Sequence, residues 1–196
     1  LNWMKRVAQY SFAENKQDAE QLAELMSSLY HFPSPTLAIV QGAAFGGGVG
    51  LVSCCDIAIA SDKASFCLSE VKLGLVPAVI SPYVIAAIGT RQAQRYFLTA
   101  ERFDAQTAFH LGLVQQLTSA DTLEQTAKDL IQTLLQNSPN ALKACKKLIQ
   151  DVDSAINSPL RDMTTTLIAE LRASSEGKEV LNAFLEKRPA GWLQHD

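Results

Sequence analysis

The chain has 196 residues, which is enough for one sizeable domain and short for two. Hydrophobic residues make up 47% and charged residues 19%, a balance that excludes a mainly disordered or fibrous protein. With 17 basic and 20 acidic side chains the net charge is −3, so nucleic acid and anionic membranes are not expected as the main partners. This balance leaves room for a small anionic ligand, which needs only local positive charge.

The cysteines and the apolar stretches bear on the compartment of the protein. Four cysteines lie at Cys54, Cys55, Cys67 and Cys145 without a C-x-x-C motif, and the three histidines lack metal-ligand spacing. We interpret the cysteines as small buried hydrophobes in a reducing compartment rather than as a zinc or redox site. The opening residues are not followed by an apolar core, and Gly, Pro, Ser and Asp56 interrupt the apolar stretches. We therefore expect no secretory signal, no membrane span and a cytoplasmic location.

The first predicted element is a helix that begins after Ser11. Ser11 and Glu14 form an S-x-x-E capping box, in which each residue satisfies a free amide of the other. Pro33 and Pro35 end the helix. Apolar residues recur between these limits at the spacing of one buried helical face: Ala19, Leu22, Ala23, Met26, Leu29 and Tyr30.

Two short apolar runs flank a glycine-rich segment. Residues 37–40 are wholly apolar, as expected of a strand covered on both faces, and residues 57–60 have the same character. Between them, residues 42–50 are rich in glycine and lead into a short buried helix over residues 51–55. The order strand, turn, helix, strand predicts a βαβ unit with a parallel sheet.

Beyond the second strand the sequence predicts helices and one more strand. Ser81 begins a helix, with proline at its first position, that ends near Gly89. Asp104 caps a helix that stops near Gly112, and residues 113–117 form a short strand. Further helices are predicted to begin at Ser119, Ser138, Ser158 and, for the last helix to about Lys187, Glu176.

The glycine run Gly46-Gly47-Gly48 is the first candidate for chemistry. Consecutive glycines between a strand and a helix let the backbone approach a ligand closely. The amides at the start of the helix are free to bind an anion or a developing oxyanion. The alternative is that the glycines only allow the turn to pack tightly against the strand. The G-K-[ST] ending of a phosphate-binding loop is absent.

Glu70 is the second candidate. It lies among apolar residues just after a predicted strand, and a carboxylate in such surroundings has a raised pKa and can shuttle a proton. The alternative is a structural role, either in an ion pair with nearby Lys72 or at the surface.

A wider pattern connects these segments with the rest of the chain. It consists of residues 39–48 (IVQGAAFGGG), 55–60 (CDIAIA), 69–77 (SEVKLGLVP), 98–105 (LTAERFDA), 111–114 (LGLV) and 184–188 (FLEKR). Together these motifs resemble the crotonase superfamily of enoyl-CoA hydratases and isomerases over essentially the whole chain. Residues 46–51 (GGGVGL) and 77–83 (PAVISPY) are most similar to bacterial 3-methylglutaconyl-CoA hydratases and to related hydratases of acyclic terpene breakdown.

The resemblance implies an architecture and a set of partners. The fold would be the α/β crotonase spiral of ββα turns, with a partial spiral core and the active-site motifs in residues 1–117. Residues 118–196 would form a helical region for oligomerisation into a homotrimer or hexamer. The ligand would be an acyl-CoA, with coenzyme A as part of the substrate and no separate cofactor or metal.

The resemblance also implies roles for four residues. The Gly47 amide would be the second of two N–H donors to the thioester oxygen, and Glu70 one of two glutamates that move protons at the α- and β-carbons. Phe184 would pack near the adenine, and Lys187 would meet the 3′-phosphate, of a CoA bound to a neighbouring subunit. The alternative for this tail is a solvated helix end, where Lys187 and Arg188 favour the helix dipole.

Two departures from the family pattern shape the expected function. Gly50 stands where the second glutamate would fall, and the chain begins where the family's first oxyanion motif has just ended, so we expect the first spiral turns to precede Leu1. We expect an enoyl-CoA hydratase for a 2-enoyl-CoA, with 3-methylglutaconyl-CoA as the preferred substrate. The alternatives are an enoyl-CoA isomerase, which needs a single glutamate, and a non-catalytic CoA-binding or assembly protein.

Overall fold

The computed structural model describes residues 10–152, 166–168, 170 and 174–191. The chain divides into two compact units. The first runs to residue 127, and the second consists of residues 33–35 and the chain from residue 128 onward. The predicted functional division between 1–117 and 118–196 stays a prediction.

Helix α1 spans Phe12–Tyr30 and confirms the first predicted element. The capping box is present: the Glu14 amide donates to the Ser11 hydroxyl at 3.3 Å, and the Ser11 amide donates to the Glu14 carboxylate at 2.7 Å. Met26, on the predicted apolar face, is fully buried in the core of the first unit. The local end signal and the apolar spacing therefore define this helix together.

The first sheet is parallel and contains the predicted βαβ unit. Its strands are β1 (Leu37–Val40), β3 (Ile57–Ser61) and β6 (Gln116–Thr118), in the order β1-β3-β6. The strand predicted at 113–117 lies later and is shorter. Leu113 and Val114 bury their side chains in the core, and their amides donate to the carbonyl of Ala108 rather than to a neighbouring strand.

The second sheet comprises β2 (Ala43–Phe45), β4 (Ser65–Cys67) and β5 (Phe103–Asp104). Strand β2 pairs with β4 in parallel, and β4 pairs with β5 in antiparallel. Strand β2 lies inside the segment predicted as a glycine-rich turn. Its three residues contain no glycine, so they can form a ladder, and the turn is confined to Gly46.

Helix α2 (Gly47–Cys54) follows that turn directly. The predicted start at residue 51 is therefore wrong by one helical turn: Gly47, Gly48 and Gly50 are all helical, although glycine is a poor helix former. Tertiary packing stabilises them, since Val49, Val52 and Cys54 are buried in the core.

Helix α3 spans Ser81–Thr99, with proline at its start as predicted. Gly89 has φ 76° and ψ 155°, so the predicted end at this residue is a break within the element. Helix α4 (Ala105–His110) is as predicted: the Asp104 carboxylate accepts from the Thr107 amide at 2.8 Å.

Three further helices with described bounds follow: α5 (Leu123–Leu135), α6 (Pro139–Asp151) and α7 (Ser175–Leu185). Residues 166–168 and 170 are also helical. Ser138 caps α6 as predicted, and its hydroxyl accepts from the Ala141 amide at 3.2 Å. Ser119 instead precedes a short 3₁₀ turn over Ala120–Thr122, where its hydroxyl bonds the Thr122 hydroxyl at 2.8 Å. The helix predicted at Ser158 lies outside the described residues. None of the helices within the described ranges is both long and apolar enough to span a membrane.

Candidate active site

Gly46 forms the turn between β2 and α2. Its φ of 51° lies in the left-handed region, and its amide donates to the Cys67 carbonyl at 2.9 Å. A β-carbon at Gly46 would lie 3.0 Å from Oε1 of Glu70. Glycine is therefore required here twice: it adopts the backbone conformation without strain, and it lets the Glu70 carboxyl lie against the main chain.

The amides of Gly47 and Gly48 are the first of helix α2. The amides of Val49 and Gly50 donate to the Gly46 carbonyl at 2.9 and 3.3 Å, whereas no described backbone group accepts from Gly47 or Gly48. Beyond the adjoining residues and the backbone of its own helix, no atom lies within 4 Å of a β-carbon built on Gly47. Free amides at the positive end of a helix are suited to bind an anion or an oxyanion.

Glu70 begins a 3₁₀ turn (Glu70–Leu73) that follows β4, and Gly74 ends the turn with φ 72°. Its carboxyl is partly withdrawn from solvent, and the buried Oε2 has no hydrogen-bond partner within the described structure. Burial raises the pKa of Glu70, and a bond from its own backbone amide opposes the shift. A buried carboxyl oxygen without a partner is costly to a fold that has no use for it.

The ion pair with Lys72, one of the two structural alternatives for Glu70, is not found among the described residues. Lys72 is exposed, and the salt bridges among the described residues include none between Lys72 and Glu70. A direct ion pair would lower the pKa of the glutamate, and no such cause contributes to the raised value.

Gly50, the position of the expected second glutamate, is buried under Ile80 and Met26. A β-carbon at Gly50 would lie 2.3 Å from Cγ2 of Ile80 and 3.3 Å from Cε of Met26. Ile80 is only 2% exposed, so it cannot move aside into solvent. The volume that a second carboxylate would need is therefore occupied by hydrocarbon. The sequence predicted the missing carboxylate at Gly50 but not that Ile80 fills its space.

The two predicted CoA contacts lie in the second unit. Phe184 falls within α7, but its side chain lies outside the features that the structure describes. Lys187 follows the helix, is exposed, and has a φ of 53°. The structure thus places Glu70 against the residue that precedes Gly47, while the roles of Phe184 and Lys187 toward a neighbouring subunit stay predictions.

Two of the four cysteines are buried as interpreted, while Cys55 is half-buried. Cys54 and Cys67 are buried, and burial, together with the neighbouring Cys55, raises the pKa of the Cys54 thiol to about 11. Cys145 is exposed, which corrects the prediction for this residue. The adjacent Lys146 takes the buried position on α6 and donates to the Ser34 carbonyl at 3.4 Å. In the described part of the chain, no group of three His, Cys, Asp or Glu side chains could hold a metal.

The chain belongs to the enoyl-CoA hydratase/isomerase family, which it matches over residues 4–195. An enoyl-CoA hydratase structure from Shewanella pealeana is 53% identical with a TM-score of 0.94, and covers 97% of this chain and 72% of its own. The chain is also 32% identical over 167 residues to the 2,3-dehydroadipyl-CoA hydratase of Escherichia coli, and 31% over 160 residues to the short-chain-enoyl-CoA hydratase of Clostridium acetobutylicum. These matches confirm the predicted α/β crotonase fold and the family.

The chain spans only part of the two curated relatives that it matches. The Escherichia coli match covers 84% of this chain and 65% of that protein, and the Clostridium match covers 79% and 59%. The chain therefore spans less than two thirds of these two relatives, so the activity, substrates and partners of the whole protein are matters for proposal.

Proposed function

We propose that the protein is an enoyl-CoA hydratase that adds water to the double bond of a 2-enoyl-CoA thioester. The observation that carries this proposal is the Glu70 carboxyl, buried and unpartnered at Oε2, beside the glycine turn that leaves the Gly47 amide free. A proton-transfer group and an oxyanion donor thus lie on neighbouring segments, as thioester chemistry requires.

The roles follow from the charge that develops during the reaction. The thioester oxygen accepts the Gly47 N–H, and the positive end of α2 stabilises the negative charge when the enolate forms. The Glu70 carboxylate removes a proton from water as the water oxygen bonds to the β-carbon. The electron pair of the C=C bond shifts to form a double bond between the α-carbon and the carbonyl carbon, and the carbonyl pair moves onto the thioester oxygen to give the enolate. Glu70 then returns the proton to the α-carbon, so the carboxylate is regenerated and no cofactor is needed.

A single carboxylate must serve both ends of the addition in this proposal. Ile80 fills the space beside Gly50, so a second carboxylate from that position is not available to hold the water. The raised pKa of Glu70 suits the double role, because a stronger base takes the proton from water more readily.

The preferred substrate is a branched glutaconyl-type acyl-CoA. The support is the similarity of residues 46–51 and 77–83 to bacterial 3-methylglutaconyl-CoA hydratases. Turnover of 3-methylglutaconyl-CoA and of crotonyl-CoA should be compared in heavy-oxygen water. We expect a 3-hydroxyacyl-CoA that carries one labelled oxygen, with the higher kcat/KM for 3-methylglutaconyl-CoA. Equal or lower kcat/KM for this substrate would overturn the choice of acyl group.

The Gly50 site also favours a second candidate, an enoyl-CoA isomerase. One carboxylate is enough for a 1,3-proton shift, in which Glu70 removes a proton from one carbon and returns it to another. The same labelled-water experiment separates the two, since an isomerised product has a shifted double bond and no labelled oxygen. Binding of CoA esters without either product would indicate a CoA-binding or assembly protein.

Assembly into a homotrimer or hexamer is part of the proposal. Leu181 and Leu185, one turn apart on α7, are 51% and 75% exposed, and burying them against a second copy would be favourable. Lys187 would then reach the 3′-phosphate of the neighbour's CoA, with Phe184 near the adenine. Sedimentation should show an oligomer that dissociates when residues after Ala183 are deleted. A monodisperse monomer that binds acyl-CoA normally would contradict this arrangement.

A further inference from the structure

The turn that ends α7 has an unusual residue at its left-handed position. The Glu186 amide donates to the Asn182 carbonyl at 2.8 Å, and the Arg188 amide donates to the Ala183 carbonyl at 3.0 Å. This closure places Lys187 in the left-handed region, with φ 53°. Helices that end in this way usually have glycine there, because a β-carbon makes the conformation strained. Something else must therefore hold the turn closed.

Arg188 provides that restraint through its guanidinium group. Its Nη1 and Nη2 donate to the two oxygens of Glu179 at 2.6 and 3.0 Å, and its Nε donates to Glu186 at 2.6 Å. The Gly191 amide donates to the same Glu179 carboxylate at 3.0 Å. The hydrogen bonds from Arg188 hold the pKa of Glu179 below its usual range. One arginine thus ties the residues on both sides of Lys187 to the helix.

The two adjacent cations consequently differ in what they can offer a ligand. The charge of Arg188 is matched by two carboxylates, and its side chain is only 34% exposed. Lys187 is exposed, and no ion pair within the described ranges includes it. Arg188 is engaged inside the protein, whereas the Lys187 ammonium is presented to solvent.

We infer that Arg188 is a positioning residue for CoA binding: it holds Lys187 in the left-handed conformation, so that the ammonium is presented to the 3′-phosphate. This inference rests on the role of Lys187 in the proposed function. A backbone fixed before binding lowers the ordering cost that a flexible lysine would otherwise add. Strain that persists at a binding residue is expected where the surrounding contacts over-determine the conformation.

The test compares the affinities of CoA and 3′-dephospho-CoA, measured by calorimetry on the purified protein. The ratio of the two dissociation constants isolates the phosphate contact and does not depend on turnover. The unchanged protein should prefer CoA by about fivefold, as for one partly exposed charge pair. Lys187→Gly should abolish the preference, and Arg188→Gln should reduce it to about twofold or less.

Arg95→Gln is a matched control. Arg95 makes a similar pair with Glu101, at 2.5 and 3.2 Å, in the first unit of the chain. Both arginine variants lose stability through the same kind of interaction, but only Arg188→Gln should change the preference for the phosphate. If Arg188→Gln does not fold, Glu186→Gln removes one of its two acceptors and should lower the preference in the same direction.

The possible results separate the inference from the proposal beneath it. If Lys187→Gly still preferred CoA over 3′-dephospho-CoA as strongly as the unchanged protein, the role of Lys187 itself would be overturned. If Lys187→Gly lost the preference for CoA while Arg188→Gln and Glu186→Gln both kept it in full, only the positioning role of Arg188 would be overturned. The double variant Lys187→Gly/Arg188→Gln should bind CoA no more weakly than Lys187→Gly alone, and a further additive loss would also contradict the positioning role.

Discussion

Two turns of this molecule have nearly the same positive φ, 51° at Gly46 and 53° at Lys187. At Gly46 the absence of a side chain is what matters, since a β-carbon would meet the Glu70 carboxyl at 3.0 Å. At Lys187 the side chain is retained in spite of the strain, and a network of charged hydrogen bonds holds the turn. A positive φ thus serves the close approach of a carboxyl at Gly46 and the presentation of a charge at Lys187.

The largest effect is expected from Glu70, whose carboxyl lies against the Gly46 turn. Glu70→Gln keeps the shape of the carboxyl but cannot accept the proton, so kcat should fall about 10²–10⁴-fold, the usual contribution of a general base. CoA-ester affinity should change little, as measured by calorimetry. A kcat within about threefold of the parent would remove Glu70 from the mechanism and leave the Gly46 turn without a catalytic purpose.

The next effect concerns the amide that follows the turn. Gly47→Pro deletes the proposed donor, at an expected cost of about 10²–10³-fold in kcat. Proline is tolerated at the first position of a helix, so the fold should survive, and circular dichroism checks this. Normal turnover by a well-folded Gly47→Pro protein would show that the oxyanion donor lies elsewhere.

Replacing the turn glycine itself should reduce stability. Gly46→Ala places a β-carbon against Oε1 of Glu70, in a backbone conformation (φ 51°, ψ −118°) that other residues rarely adopt, so the free energy of unfolding should fall by about 1–3 kcal/mol from the backbone strain alone. Urea denaturation measures the change. Gly74→Ala is a comparison variant in the left-handed region, with φ 72° and ψ 18°, where the added carbon meets no atom within 4 Å beyond the adjoining residues, so it should lose less stability than Gly46→Ala. An equal loss in both variants would mean that contact with Glu70 adds nothing.

The smallest effect has the opposite sign. Lys187→Gly relieves the strain but gives the unfolded chain more freedom, so the free energy of unfolding should rise by a few tenths up to about 1 kcal/mol. Thermal unfolding, monitored without ligand, is the measurement. A clear decrease in stability would show that the lysine side chain supports the fold, and the contrast between the two turns would then fail.

The sequence predicted the elements whose signals are local. The capping box of α1, the aspartate cap of α4 and the serine cap of α6 were each recognised from a few residues, and all three are present. The early start of α2 was missed because three glycines argue against a helix, and only burial of Val49 and its neighbours overrides that preference.

The site could be predicted only in part for a similar reason. Glu70 and Gly47 stand in motifs that can be read along the chain. The filling of the Gly50 space by Ile80 joins residues 30 positions apart, and the pairing of Arg188 with Glu179 spans nine, so neither follows from local pattern. Such contacts are properties of the packed structure.

The central claim is that the buried, unpartnered carboxyl of Glu70 is the base of the reaction. The most direct test is the pH dependence of kcat for the parent protein and for Glu70→Gln. Because burial raises the pKa of Glu70, and the carboxylate is the active form, kcat should rise with pH around a midpoint above the usual range of a glutamate. This rise should disappear in Glu70→Gln. The same rise in both proteins, at the same midpoint, would assign the base to another group and contradict the account.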